Sequence, residues 1–179
     1  MERIKSRLPA QNDILPVLAV ISFMVYGWTL VVFLWKVPSW VMYLTTGQIL
    51  VVLAYSMTAT MLESLVVLGI ILILCLLLPA RWLRDVFITR GSVAAILGLG
   101  TIMFFMYRFS LEGYSYISNL IAWSLVGAAV TLLLAFLSTR SKSIVKAAWW
   151  ISDRMMVFLY LFIPISLISM LVVLYRNIF

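Results

Sequence analysis

Three features of this chain predict an all-α bundle of helices embedded in a membrane. Hydrophobic residues make up 65% of its 179 positions and charged residues 11%, against roughly 45–50% and 25% in an ordinary soluble domain. Apolar runs of about 20 residues, the length a helix needs to cross a hydrocarbon core about 30 Å thick, recur along the whole chain. The cations gather in the short segments between those runs, as topology determinants do. We therefore read residues 1–179 as one integral membrane domain, a polytopic bundle of five to six membrane-embedded helices. The segments fall at about 14–35, 40–57, 61–79, 92–109, 118–138 and 153–176.

The first segment follows a basic tail holding Arg3, Lys5 and Arg7. Its apolar run is longer than the 7–15 residues of a signal-peptide core and no small-x-small cleavage site follows it, so it reads as a retained helix. Asn12 and Asp13 are suited to cap it, with Pro16 in its first turn. Lys36, Pro38 and Trp40 make a short exit with an aromatic side chain suited to the headgroup boundary.

Residues 39–80 are almost wholly apolar and set the topology. As one straight helix they would measure about 63 Å at 1.5 Å per residue, twice the hydrocarbon thickness. Two full crossings would need a turn near 56–64, where there is no Gly, Pro, Asn or Asp, the usual turn formers. Thr60 and Glu63 have the Thr-x-x-Glu spacing of a capping box, which would start a fresh helix at Met61 and end it near Pro79.

Beyond Pro79 comes a basic connection with Arg81, Arg84 and Arg90. Gly91 and Ser92 then open a short helix that contains Gly98 and Gly100, and the next helix starts near Ser118 or Asn119. A second basic connection holds Arg140, Lys142, Lys146 and Arg154, and within it residues 144–151, with Trp149 and Trp150, read as a helix lying in the headgroup plane. The last helix starts after Ser152 and Asp153. Pro164 falls inside it and removes a backbone donor, with Ser166 and Ser169 placed to bond the freed carbonyls.

Counting cations discriminates between the topologies, because Lys and Arg accumulate on the cytoplasmic side. A net single crossing for residues 39–80, with 40–57 re-entrant, interfacial or part of a long tilted element, gives five crossings and puts ten of the thirteen cations on one side. Six crossings put eight together and require the basic tail to be translocated. Five crossings in the cell membrane, with the N-terminus cytoplasmic, is the favoured reading, and six is the alternative.

A formal charge of +7 in such a chain points to anionic headgroups, with Arg81, Arg84, Lys142 and Lys146 as the candidate contacts, and not to nucleic acid. Histidine is absent, which removes the commonest metal and haem ligand and the usual proton shuttle near neutral pH. The single cysteine, Cys75, lies deep in an apolar run and can form no internal disulfide. No HExxH, GxSxG or P-loop occurs. The expectation is a protein that is not an enzyme and carries no metal or cofactor.

The polar residues inside the apolar runs are the remaining candidates. Gln48, Thr60 and Glu63 outline an intramembrane polar site, since an acid at mid-membrane costs about 2.5–3.5 kcal/mol and usually marks a pathway. The capping-box spacing gives Glu63 a second reading, as a cap at the interface, and the sequence leans toward that one. Small residues recur at four-residue spacing (Gly91 with Ala95, Ala94 with Gly98, Ser124 with Ala128, Gly127 with Thr131), a pattern that lets helices approach closely. The leading functional expectation is a non-catalytic subunit or scaffold of a membrane complex, with lipids and other membrane subunits as partners. The alternative is a small transporter or lipid-handling protein with its site around Glu63.

Overall fold

The computed structural model describes residues 9–78, 86–112 and 117–178. Among them there is no strand, and the architecture is an all-α bundle. Its helices are α1 (Gln11–Trp40), α2 (Thr46–Leu77), α3 (Phe87–Glu112), α4 (Ile117–Leu137) and α5 (Lys142–Ile178), with a 3-10 turn at Ser138–Arg140 between the last two. Among the described residues, five helical stretches are long and apolar enough to cross a membrane, a count compatible with a multi-pass membrane protein.

The expected segments 40–57 and 61–79 are one helix. Residues 41–45 make the turn, and α2 then runs unbroken for 32 residues, about 48 Å at 1.5 Å per residue. The reason lies in the hydroxyl residues of its middle. Ser56, Thr58, Thr60 and Ser64 donate to the carbonyls of Val52, Ala54, Ser56 and Thr60, four residues back, at 2.7–2.9 Å, so their polarity is absorbed by the helix itself. The capping box expected at Thr60 and Glu63 is therefore absent. It sits at Thr45 and Gln48: the Thr45 amide donates to Gln48 Oε1 at 2.9 Å and the Gln48 amide to Thr45 Oγ1 at 3.4 Å.

Other boundaries shift for similar reasons. α1 starts at Gln11 after Ala10, which makes no side-chain cap, so Asp13 lies within the first turn where its charge suits the helix dipole. Pro16 falls beyond that first turn, and Pro38 is also inside the helix. Gly91 and Ser92 lie within α3 and do not open it. The headgroup-plane helix expected at 144–151 and the last helix expected from 153 are one element of 37 residues, because Ser152, instead of capping, is buried and bonds Ser92 across to α3 at 2.9 Å.

Side-chain contacts fix the order of the helices. Arg90 at the start of α3 donates to Thr139 Oγ1 just beyond α4, at 2.9 Å. Asn177 at the end of α5 donates to the Tyr55 hydroxyl in the first third of α2, at 3.0 Å. The starts of α1, α3 and α5 thus share one end of the bundle with the finishes of α2 and α4. Of the described cations, Arg90, Arg140, Lys142, Lys146 and Arg154 are at this end, and Lys36, Arg108 and Arg176 are at or near the other.

α1 packs on α2, α3 and α5 and forms the hub. Toward the basic end, Val17, Val20, Ile21 and Val25 meet Leu68, Ile71 and Cys75 of α2 and Phe87, Ala95 and Leu99 of α3. Gly91 makes this fit possible, since a Cβ there would meet both Val17 methyl groups at 3.2 Å. Toward the other end, Tyr26, Met57 and Phe162 tie α1, α2 and α5 together. The Tyr26 and Phe162 rings stack with centroids 4.4 Å apart, and the Tyr26 hydroxyl bonds that of Ser166. That contact occupies Ser166 in place of the expected bond to a carbonyl freed by Pro164.

α4 is the outlier. It packs on α3, and 17% of the apolar stretch Trp123–Arg140 is buried, against 44% for the apolar window of α1. It is fastened by Arg90, whose guanidinium also lies over the Phe136 ring at 4.9 Å, and by close approach at Gly127, where a Cβ would sit 2.7 Å from Thr101 Cγ2.

The Tyr26 and Ser166 hydroxyls form an interhelical bond in apolar surroundings, a contact worth about 1 kcal/mol in such settings. A double-mutant cycle with Tyr26→Phe and Ser166→Ala, read by reversible unfolding in mild detergent, is expected to give a coupling of that size, while Tyr26→Phe keeps the ring stack. A coupling of zero would show that the pair adds nothing to helix association.

Candidate functional site

A cleft of about 500 Å³ opens between α1, α2 and α3, within the roughly 300–1,000 Å³ range of small-ligand sites. Its α1 wall is a single helical stripe: Val25, Trp28, Thr29, Val32, Lys36 and Trp40 line it, at the three- and four-residue spacings that put side chains on one face. α2 contributes Ser56, Glu63 and Val67, each roughly two turns or one turn from the last, and α3 contributes an apolar wall that includes Leu99, Met103 and Met106.

Glu63 stands close to the midpoint of α2, about 26 Å from its first residue and about 21 Å from its last at 1.5 Å per residue. Its side chain is exposed to the cleft and not packed in the core. Thr60, one turn before it, is buried at 1% exposure. Its hydroxyl donates to the Ser56 carbonyl at 2.7 Å and meets Thr29 Oγ1 of α1 at 3.1 Å. This pair sets the register of α1 against α2 and lies beside the cleft, so Thr60 holds the wall and does not line it.

The register also fixes the electrostatics. From the Thr29–Thr60 contact, Lys36 lies seven residues toward one end and Glu63 three residues toward the other, an axial separation of about 15 Å. No ion pair engages Glu63 among the described residues. The cleft thus carries a carboxyl at half-height and an ammonium near its mouth, with Trp28, Phe33 and Trp40 between and around them. Phe33 and Trp40 brace one another edge to face at 5.5 Å.

The remaining sequence candidates are dispersed. Gln48 is at the first turn of α2, about 22 Å from Glu63 along the helix axis, and the structure does not bring the two together. Arg81 and Arg84 lie outside the described residues. Lys142 and Lys146 are exposed, one turn apart at the start of α5, on a stretch that also exposes Trp149 and Trp150. Arg154 lies over the Trp150 ring at 5.8 Å. Among the described residues no group of three or more His, Cys, Asp or Glu side chains is placed to hold a metal.

Sequence reasoning misses the α1 contribution to the cleft. The signal is present: Thr29 and Lys36 are seven apart on an otherwise apolar helix, the spacing of one face. It also misses an apolar groove of about 490 Å³ between α2, α3 and α4, whose lining includes Ala94, Gly98, Ser124, Gly127 and Ala128. Those small residues stand out in the sequence, but the void they leave beside a thinly packed α4 depends on tertiary arrangement. Comparison with protein-family models, with curated proteins and with solved structures finds no match for this chain.

Proposed function

We propose that this is a multi-pass membrane protein that handles a small amphiphile or lipid, non-catalytically, in the cleft around Glu63. The observation that carries the reading is a carboxyl at the half-height of a continuous apolar helix, facing a ligand-sized cleft and engaged by no cation among the described residues. An ionisable side chain at that depth costs several kcal/mol unless a partner meets it, and here the partner is the ligand. Aromatic walls next to a carboxyl suit a protonated amine or another organic cation, whose charge is attracted both by the carboxyl and by the ring faces. Lys36 at the mouth suits an anionic group trailing behind.

Glu63→Gln keeps shape and hydrogen-bonding capacity but removes the charge. Binding of the lipophilic cation tetraphenylphosphonium to the purified protein in nanodiscs is expected to weaken by about tenfold or more, the scale of one charged contact, with unfolding unchanged. Equal affinity in wild type and variant would refute the reading.

The orientation we propose has the basic end cytoplasmic, supported by the clustering of cations there. With Cys75 replaced, cysteines at Lys142 and at Lys36 are expected to label from opposite sides of the membrane, the first from the cytoplasm. Labelling of both from one side would overturn it.

A second reading, a subunit of a membrane complex, is favoured by α4. Its small-residue surface and low burial leave the α2–α3–α4 groove shaped for a neighbouring helix. Cysteine crosslinking from Ala128 in native membranes is expected to capture a discrete partner band. A chain that stays monomeric and uncrosslinked there removes this reading and leaves the first untouched.

A further inference from the structure

We propose that a second site, at the end of the bundle opposite the basic one, binds the phosphate of a phosphate-bearing anion. The place is a cleft of about 340 Å³ between the start of α2 and the end of α5, lined by Leu44, Gln48, Val51, Val52, Tyr55 and Arg176. It is separate from the Glu63 cleft and does not depend on it.

Gln48 Oε1 is occupied by the Thr45 backbone amide at 2.9 Å. Only an oxygen can accept there, so the side-chain NH₂ points away from the cap and its two hydrogens remain to be given. Asn177 Nδ2 donates to the Val173 carbonyl at 2.9 Å and to the Tyr55 hydroxyl oxygen at 3.0 Å. Because Tyr55 accepts from Asn177, its own O–H proton is free to be donated elsewhere. Arg176 adds a guanidinium that no acidic side chain among the described residues engages. The three polar groups lining the cleft therefore all present donors, and one lone pair on Gln48 Oε1 and one on the Tyr55 oxygen are already engaged. With the Arg176 guanidinium among them, such a set favours an oxyanion over a cation.

Position narrows the class. The bundle end around this cleft exposes Trp35, Tyr43 and Tyr175, the aromatic girdle expected at headgroup depth, so a phosphate at this level is the one a membrane lipid presents. The N-terminus of α2 and the C-terminus of α5 bring opposite partial charges to the same place. Their dipoles offset, and the guanidinium decides the sign. Arg176 then acts as a planar, multi-donor group suited to phosphate oxygens, with Tyr55 and Gln48 fixing the orientation.

Gln48→Glu is the discriminating variant. A glutamate at the third helical position still closes the capping box, so the fold of α2 is kept, while a donor is exchanged for a negative charge. Two probes separate the sources of phosphate: phosphatidylglycerol doped into phosphatidylcholine nanodiscs and read by native mass spectrometry of the ejected protein, and inorganic phosphate read by thermal unfolding in detergent. Both are run with Lys142 and Lys146 intact and again with both changed to Gln, so that retention by the basic end is subtracted. We expect Gln48→Glu and Arg176→Gln each to lower phosphatidylglycerol retention by about tenfold in both backgrounds, with unfolding temperatures unchanged, and Arg176→Lys to recover part of it. A phosphate-dependent rise in the unfolding temperature that both variants abolish, without any change in lipid retention, assigns the site to free phosphate instead. If neither probe distinguishes Gln48→Glu or Arg176→Gln from wild type, the anion site does not exist.

Discussion

The structure depends on one requirement, that the backbone of α2 close its own hydrogen bonds through 32 consecutive residues. In an apolar setting an unpaired amide or carbonyl costs several kcal/mol, so a chain breaks its helix there only where side chains or turn formers take over. Between Ser56 and Ser64 there is no turn former, and the one capping pattern, Thr60 with Glu63, goes unused. The hydroxyls of that stretch fold back onto carbonyls one turn earlier and strengthen the continuity that a cap at Thr60 would have interrupted. From this the remaining arrangement follows. One long helix in place of two makes the count odd, brings the starts of α1, α3 and α5 to one end, and carries Glu63 to mid-height.

Association of the other helices rests on small apolar contacts joined by a few hydroxyl pairs. Tyr26 with Ser166, Thr29 with Thr60 and Ser92 with Ser152 each connect two helices at buried or half-buried positions. Lipid tails are as apolar as leucine, so burial alone gives little drive toward helix pairing, and such bonds together with close packing decide which faces meet. α1 holds two of these pairs and, among the described residues, more of the buried hydrophobic core than any other helix. α4 holds none of them and has least buried surface, so its attachment rests on the Arg90 clamp and the close approach at Gly127. It is the helix with the least to lose on separating from the bundle, and the groove beside it is a direct result.

The class of fold, the number of long apolar segments and the clustering of cations are legible in the residues, because hydrophobicity and charge act additively along the chain. The ends of elements are not. Thr60 and Glu63 satisfy the spacing of a capping box, but a threonine mid-run can equally bond the carbonyl four residues back, and only neighbouring structure chooses between the two. Ser152 misleads for the same reason: a serine before an acid resembles a helix start until Ser92 of another helix takes its hydroxyl. Of the candidate site, Glu63 is visible as an anomaly of composition. The seven-residue spacings of Thr29 with Lys36 and of Gln48 with Tyr55 mark shared helix faces, but that α1 stands opposite Glu63 and Arg176 beside Gln48 depends on packing between helices, which no local pattern encodes.

The two clefts flank α2 on adjacent faces, and the placing of Glu63 in one and Arg176 at the other follows from helical geometry. Ser56 and Glu63 are seven residues apart and share one stripe, while Gln48 and Tyr55 are seven apart and share another, displaced by one residue or about 100° around the axis. The stripe of Ser56 and Glu63 faces α1 and α3 and ends in a carboxyl; that of Gln48 and Tyr55 faces the end of α5 and meets a guanidinium. A helix body lies between Glu63 and Arg176, and an axial distance of several turns as well, so neither charge can neutralise the other. Had the chain turned near residue 60, Glu63 would stand at an interface within reach of water and aqueous ions. Continuity of α2 is what keeps the two charges apart.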